Sequence, residues 1–152
     1  MKKRLPISDC DICRRLSSHN YADLTYDPIP ENIARLVGTS PTARLAEEIV
    51  ECTLCGTFYF YEYTCGFGEN DISLRRVTPT EAGRGVDVSG LKEDLASPHE
   101  DTRCYAAQCL VEHYLSEGLT EEAEALLNDG DEAVRSSAEA ARKYYLSRMN
   151  LG

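Results

Sequence analysis

Cys10-Asp-Ile-Cys13 and Cys52-Thr-Leu-Cys55 are two C-x2-C pairs separated by 38 residues. Two loops that each present two thiols can converge on one tetrahedral S4 site. Zn²⁺ prefers that geometry, and its charge keeps the thiols deprotonated. Four thiolates close the coordination sphere and leave no position for water or substrate, so the chemistry is structural. The expectation is one structural Zn²⁺ held by Cys10, Cys13, Cys52 and Cys55. Gly56 after the second pair allows a tight turn that aims backbone N–H groups at sulfur. Spacing alone leaves Cys65 and His19 open as substitute ligands.

The chain has seven cysteines in 152 residues. An odd count fits metal ligation with a few buried thiols better than a disulfide framework. Cys104 and Cys109 sit in a helical pattern, where small apolar residues pack. No other constellation suggests catalysis. The histidines do not combine with a nucleophile and an acid. The stretch "GFGEN" lacks the Lys-Ser/Thr and the helix of a phosphate loop. The carboxylates are spread over helix surfaces and not paired in an apolar pocket. The sequence is therefore read as a non-enzyme.

The formal net charge is −10 and unevenly placed. Residues 1–85 carry 10 Lys/Arg and 12 Asp/Glu; residues 86–152 carry 6 and 14. An acidic half repels nucleic acid phosphates and attracts a basic protein surface. Glu100, Asp101, Asp131 and Glu132 cluster at helix starts and are the acidic partner-binding candidates. "MKKRLPISDC" has no apolar run behind its basic opening, and no segment reaches the length needed to span a bilayer. These features predict a cytoplasmic protein with no membrane contact.

The elements that must position the thiols follow from local signals. Pro28 and Pro30 predict an extended entry into a short helix that stops at Gly38. "SPTARLAEEIVEC" reads as a second helix, with Ser40 as N-cap and Pro41 in its first turn. "GTFYFYEYT" and "DISLRRVT" read as paired strands around the turn "CGFGEN". On the first strand, Phe58 and Phe60 share one face; Tyr59, Tyr61 and Tyr63 share the other. Phenylalanine belongs in a core, and tyrosine tolerates a wet edge. The tyrosine face is therefore either a second, partly wet packing surface or a candidate partner surface. "VTPTEAGRGVDVSG" reads as a connection, which gives two parts: 1–85, zinc-binding and α+β, and 86–152, helical.

The helical part repeats itself at an offset of 32 residues. Leu95 falls on Leu127, Ser97 on Asp129, Arg103 on Arg135, Ala106 on Ala138 and Cys109 on Ala141. Ser97 with Glu100, and Asp129 with Glu132, have the spacing of capping boxes. A period of this size with two helices per unit indicates a helical solenoid.

Two family resemblances follow from these residues. "CTLCGTFY", residues 52–59, resembles the second knuckle of zinc ribbon and rubredoxin-like domains. Arg14 stands after the first knuckle where glycine is common. Residues 91–149 resemble HEAT-type repeats through Leu91, Asp94, Leu95, Arg103, Ala106 and Ala107, and again through Leu126, Leu127, Val134, Arg135 and Ala138. Together they imply an α+β, mainly helical fold: a zinc-ribbon-like unit with a helical insert, packed on a short HEAT-like α-solenoid. The function read from the whole chain is a zinc-stabilised protein–protein interaction module; charge and size motivate its most specific form, an acidic immunity protein that neutralises a basic toxin or nuclease. The alternative is a zinc-ribbon regulator that touches nucleic acid through Arg14, Arg15, Arg75 and Arg76, with Lys2, Lys3 and Arg4 nearby.

Overall fold

The computed structural model describes residues 5–151, and Lys2, Lys3 and Arg4 lie outside that range. The chain divides into two compact units, with the boundary between Val77 and Thr78. The stretch read as a connection up to residue 85 therefore folds with the helices.

The first unit is a four-stranded antiparallel sheet with one short helix. Strands β1 (His19–Asp23), β2 (Glu47–Glu51), β3 (Phe58–Gly66) and β4 (Glu69–Val77) take the order β1-β4-β3-β2. The long hairpin β3–β4 is the one expected from the aromatic and β-branched runs, with Tyr61 opposite Leu74 and Phe58 opposite Val77. Helix α1 (Glu31–Val37) follows Pro30 and ends at Gly38, whose φ of 93° suits glycine. Asn32 and Arg35 of α1 donate to the carbonyls of Arg15 and Asp11 at 3.1 and 3.0 Å. The helix is thereby tied to the segment carrying the first cysteine pair.

The second insert helix is not formed. Pro41–Ala43 make one 3-10 turn, and Glu47–Glu51 become strand β2. Leu45, expected on an apolar helix face, is 69% exposed. The competing term is tertiary. β2 pairs with β3 from Glu47 opposite Glu62 to Glu51 opposite Phe58. Ile49 and Val50 are β-branched and suit that pairing. Ladder bonds and the burial of Val50 outweigh a helix signal that rests on a Ser-Pro start and alternating small and acidic residues.

Phe58 is buried as expected, but the rest of β3 departs from the sequence reading. Tyr59 and Tyr61 are fully buried, beside Ile72 and Leu74 of β4, while Phe60 on the opposite face is half-exposed. Arg75 lies over the Phe60 ring at 5.7 Å. The tyrosine rings supply the large apolar area this small core requires, and each buried ring of that size contributes about 2–3 kcal/mol. Arg44 stands over Tyr61 at 5.9 Å and Arg76 over Tyr59 at 5.7 Å. The tyrosine rings therefore meet cations inside the unit, not water outside it.

The second unit is two helix pairs: α2 (Val88–Asp94) with α3 (Glu100–Ser116), and α4 (Thr120–Leu127) with α5 (Glu132–Leu151). Both pairs begin at the same offset of 32 residues, Val88 with Thr120 and Glu100 with Glu132. Helix α3 packs on α2, α4 and α5. The small residues Ala106, Cys109 and Ala138 are completely buried, which lets the helices approach closely.

The repeat extends to side-chain bonds. Arg103 Nη1 donates to the Ser97 carbonyl at 3.0 Å, and Arg135 Nη1 to the Asp129 carbonyl at 2.8 Å. Ser97 Oγ accepts from the His99 N–H at 3.2 Å, and Asp129 Oδ1 from the Asp131 N–H at 2.8 Å. The expected capping boxes are thus displaced by two residues. His99 occupies the N-cap of α3 without a side-chain bond, while Asp131 caps α5 by accepting from the Ala133 and Val134 N–H groups at 2.9 and 3.3 Å. Ser97 and Asp129 make the tight turns that precede the caps.

Not every position repeats. Ala107 and Val111 are completely buried on α3, and their equivalents on α5 are Glu139 and Lys143, both exposed.

Candidate metal centre

Cys10, Cys13, Cys52 and Cys55 are all buried, and their four sulfurs lie within 4.8 Å of one another. Cys10 Sγ to Cys52 Sγ is 3.7 Å, and Cys13 Sγ to Cys55 Sγ is 3.5 Å. A disulfide would bring a pair to about 2.05 Å. A tetrahedral Zn²⁺ with bonds of about 2.3 Å sets its sulfurs about 3.8 Å apart, close to what the two knuckles provide. The site fits one structural zinc ion. Cys65 is exposed near the tip of the β3–β4 hairpin and His19 is exposed on β1; neither belongs to the cluster.

Local backbone geometry builds each knuckle. The second lies between β2 and β3: Cys52 N–H donates to the Thr57 carbonyl at 2.9 Å and Gly56 N–H to the Cys52 carbonyl at 2.9 Å. Gly56 has φ of 77°, a conformation that costs any residue with a Cβ about 1 kcal/mol or more. The first knuckle runs into a 3-10 turn at Cys13–Arg15, so Arg14 needs no such conformation. Backbone N–H groups are aimed at sulfur as expected. Cys13 N–H donates to Cys10 Sγ at 3.4 Å, and Thr57 Oγ1 lies 3.1 Å from Cys55 Sγ.

The thiols are electrostatically coupled. Cys13 and Cys55 share a proton: their mutual hydrogen bond pushes the Cys13 thiol well above its ordinary range and draws Cys55 down to about 5. Burial pushes Cys10 up, against the backbone N–H groups that favour its thiolate. Four buried sulfurs that resist joint ionisation need a compensating cation, which a divalent metal provides.

Around the sulfurs is a layer the sequence did not announce. Arg76 Nη2 donates to the Leu16 carbonyl at 3.2 Å and reaches the Cys13 carbonyl at 3.5 Å. Arg76 stands 5.7 Å from the Tyr59 ring, and burial, with Arg76 and Cys13 nearby, holds the Tyr59 hydroxyl in its protonated form. Only the alternation of β4 could have signalled this, since it places Arg76 on the same face as Leu74.

Tyr59 and Tyr61 are inaccessible, so neither can meet a partner. Tyr63 is half-buried and donates to Asn70 Oδ1 at 2.6 Å. Glu100, Asp101 and Glu132 are exposed in the first turns of α3 and α5. Asp131 is half-buried and faces Arg103 at 2.9 Å. The basic candidates are dispersed: Arg14 pairs with Asp11 at 2.8 Å, Arg75 stacks on Phe60, and Arg76 turns inward.

A surface groove of about 700 Å³ runs from Val37 past Arg44 to Glu48. Its Arg44 and Glu48 are paired with each other. Deep in the helical unit Glu112 is almost completely buried, accepts from Thr78 Oγ1, and is met by Arg148 at 3.1 Å. Arg148 also reaches Glu81 at 2.8 Å. Among the described residues no helix is long and apolar enough to cross a membrane. Comparison with protein-family models, with curated proteins and with solved structures returns no significant match.

Proposed function

We propose that this chain is a non-enzymatic interaction module: a zinc-ribbon-like unit supplies rigidity, and a short HEAT-like unit binds a basic protein. The observation that carries the reading is the exposed carboxylate layer of the helical unit. Glu100 and Asp101 open α3, Glu121 and Glu122 open α4, and Glu132 opens α5; all five are exposed. Glu100 and Glu132 recur at the 32-residue offset of the repeat, and exposed like charges of this kind attract a basic surface and speed its association. The closed S4 set supports a structural role for the metal, because it offers no coordination position to a substrate. In its most specific form the module is an antagonist that neutralises a basic toxin or nuclease.

The test is affinity capture of the full chain from its own host, followed by salt titration of what is captured. The expected result is a basic protein partner whose binding weakens steeply with salt and is lost in a Glu100→Lys/Asp101→Lys/Glu132→Lys variant that keeps its zinc. Recovery of nucleic acid alone, with binding lost on Arg14→Glu and Arg75→Glu, would replace this reading with that of a nucleic-acid regulator.

A further inference from the structure

The Tyr59 side chain has no exposed surface, and its hydroxyl completes no hydrogen bond. A buried hydroxyl left in that condition costs about 1–3 kcal/mol. A phenylalanine would fill the same volume without that cost. The oxygen is not randomly placed: the Arg76 guanidinium stands 5.7 Å from its ring and reaches the Cys13 carbonyl at 3.5 Å, which sets the ring beside the first knuckle, and Cys13 is among the groups that act on the hydroxyl.

The other ligands differ. Cys10 is approached by the N–H groups of Ile12 and Cys13, and Cys55 by the N–H and hydroxyl of Thr57. These are the local donors that knuckle turns provide. The hydroxyl turned toward Cys13 belongs to a strand 46 positions further along the chain. Without a metal, the Cys13 and Cys55 sulfurs are hydrogen-bonded to each other at 3.5 Å, which leaves Cys13 little to offer a second donor. Zinc changes that balance: the thiol protons leave to solvent, four Zn–S bonds form, and Cys13 becomes a thiolate with unshared electron density.

We propose that Tyr59 is a positioning residue for the metal centre, donating its O–H to the Cys13 thiolate once zinc is bound. The tyrosine keeps its own proton throughout. The bond draws charge from one sulfur of a centre that carries a formal charge of −2, and Arg76 behind the ring offsets more of it. Outer partners of this kind orient a ligand and tune its donor strength, and their loss typically costs 10–100-fold in metal affinity. The proposal rests on the metal site alone and is independent of the partner reading.

Tyr61 provides an internal control. It is two residues away on the same face of β3, equally buried, with a hydroxyl that also completes no bond. Its surroundings are Arg44 and Glu48, not a sulfur. The experiment loads the full chain with Co²⁺ and compares wild type, Tyr59→Phe and Tyr61→Phe. It records the sulfur-to-cobalt charge-transfer band, and then Zn²⁺ affinity by chelator competition. A hydrogen bond to sulfur stabilises its electrons, so Tyr59→Phe is expected to move the band to lower energy and to weaken Zn²⁺ binding about tenfold. Tyr61→Phe is expected to leave both unchanged. The proposal is overturned if Tyr59→Phe matches wild type in band position and affinity, or if the two variants change alike. Failure of wild type to give a tetrahedral cobalt spectrum would overturn the metal site as well. Should Tyr59→Phe not accumulate, Arg76→Gln reads the same outer layer and is expected to shift the band in the same direction; an unmoved band there overturns the proposal.

Discussion

Arg103 Nε lies 2.9 Å from Asp131 Oδ2, so the Arg of the first helix pair meets the carboxylate that caps the long helix of the second. The same guanidinium holds the Ser97 carbonyl in its own pair. Arg135 repeats the bond to the carbonyl of its own pair, donating to Asp129. Two equivalent arginines therefore differ by one inter-repeat contact.

That difference predicts an asymmetric response. Arg103→Ala is expected to lower stability more than Arg135→Ala in urea unfolding of the zinc-loaded protein; equal losses would mean the inter-repeat pair contributes nothing. A pH signature accompanies it. The Val134 N–H first, with the Ala133 N–H and Arg103, holds the Asp131 carboxyl below its ordinary range. A depressed carboxyl contributes stability above the unfolded-state value of about 3.9, and the contribution is lost as pH falls through the folded value. Asp131→Asn is expected to flatten the acid limb of the stability profile, and an unchanged limb would assign it to other carboxylates.

Metal removal is expected to separate the two units. Buried thiolate sites of this type contribute on the order of 10 kcal/mol to folding. The sheet unit gathers four of its buried cysteines at the candidate metal site. Chelation, or Cys52→Ser, is expected to abolish β-sheet signal and near-ultraviolet tyrosine signal while most helical ellipticity persists. Simultaneous loss of both signals would show the helical unit to depend on the metal too.

The metal ligands were legible because C-x2-C spacing is set by the geometry of a single turn and needs no tertiary information. The β3–β4 hairpin was legible for the same reason: Phe, Tyr and Ile runs around Gly66 and Gly68 are local signals. β2 was not. Ala43, Ala46 and the glutamates favour a helix in isolation, and only pairing with β3 decides otherwise. β1 (His19–Asp23) carries no apolar alternation; it is an edge strand recruited by β4. Of the two readings of the tyrosine face, packing holds and the partner surface fails at Tyr59 and Tyr61, because residue type gives amphipathicity but not direction. Tyr59 and Tyr61 point inward where a sulfur and arginines meet them. The repeat was legible at Arg103 and Arg135, yet its caps were displaced, since Ser97 and Asp129 serve the preceding turn as readily as a helix end.

Glu112 and Arg148 form the most buried ion pair of the helical unit among the described residues. Arg148 Nη1 lies 3.1 Å from Glu112 Oε1 and 2.8 Å from Glu81 Oε1. Removing one partner leaves a buried charge uncompensated, which costs about 3–5 kcal/mol, whereas replacing both by apolar residues is often near neutral. Arg148→Met is expected to destabilise the protein by about 3 kcal/mol in urea unfolding. Glu112→Leu/Arg148→Met is expected to recover most of that loss. If the double variant were as unstable as the sum of the single ones, the pair would not be the source of the effect.

Phe67 stands at the tip of the β3–β4 hairpin with φ of 52°, fully exposed, in a two-residue loop with Gly68 at φ of 83°. Both central residues are left-handed, the turn that favours Asn-Gly. A phenylalanine in that conformation costs about 1 kcal/mol relative to glycine and buries nothing in return. Phe67→Asn is therefore expected to raise stability by about 1 kcal/mol, read as a higher urea midpoint at unchanged m-value. The register of β3 on β4 is set along nine residue pairs from Phe58 opposite Val77 to Gly66 opposite Glu69, so the substitution is expected to leave it intact. A loss of stability would mean that the phenylalanine ring shields the hairpin end more than its exposure indicates, and that its conformation is held by contacts worth more than the strain.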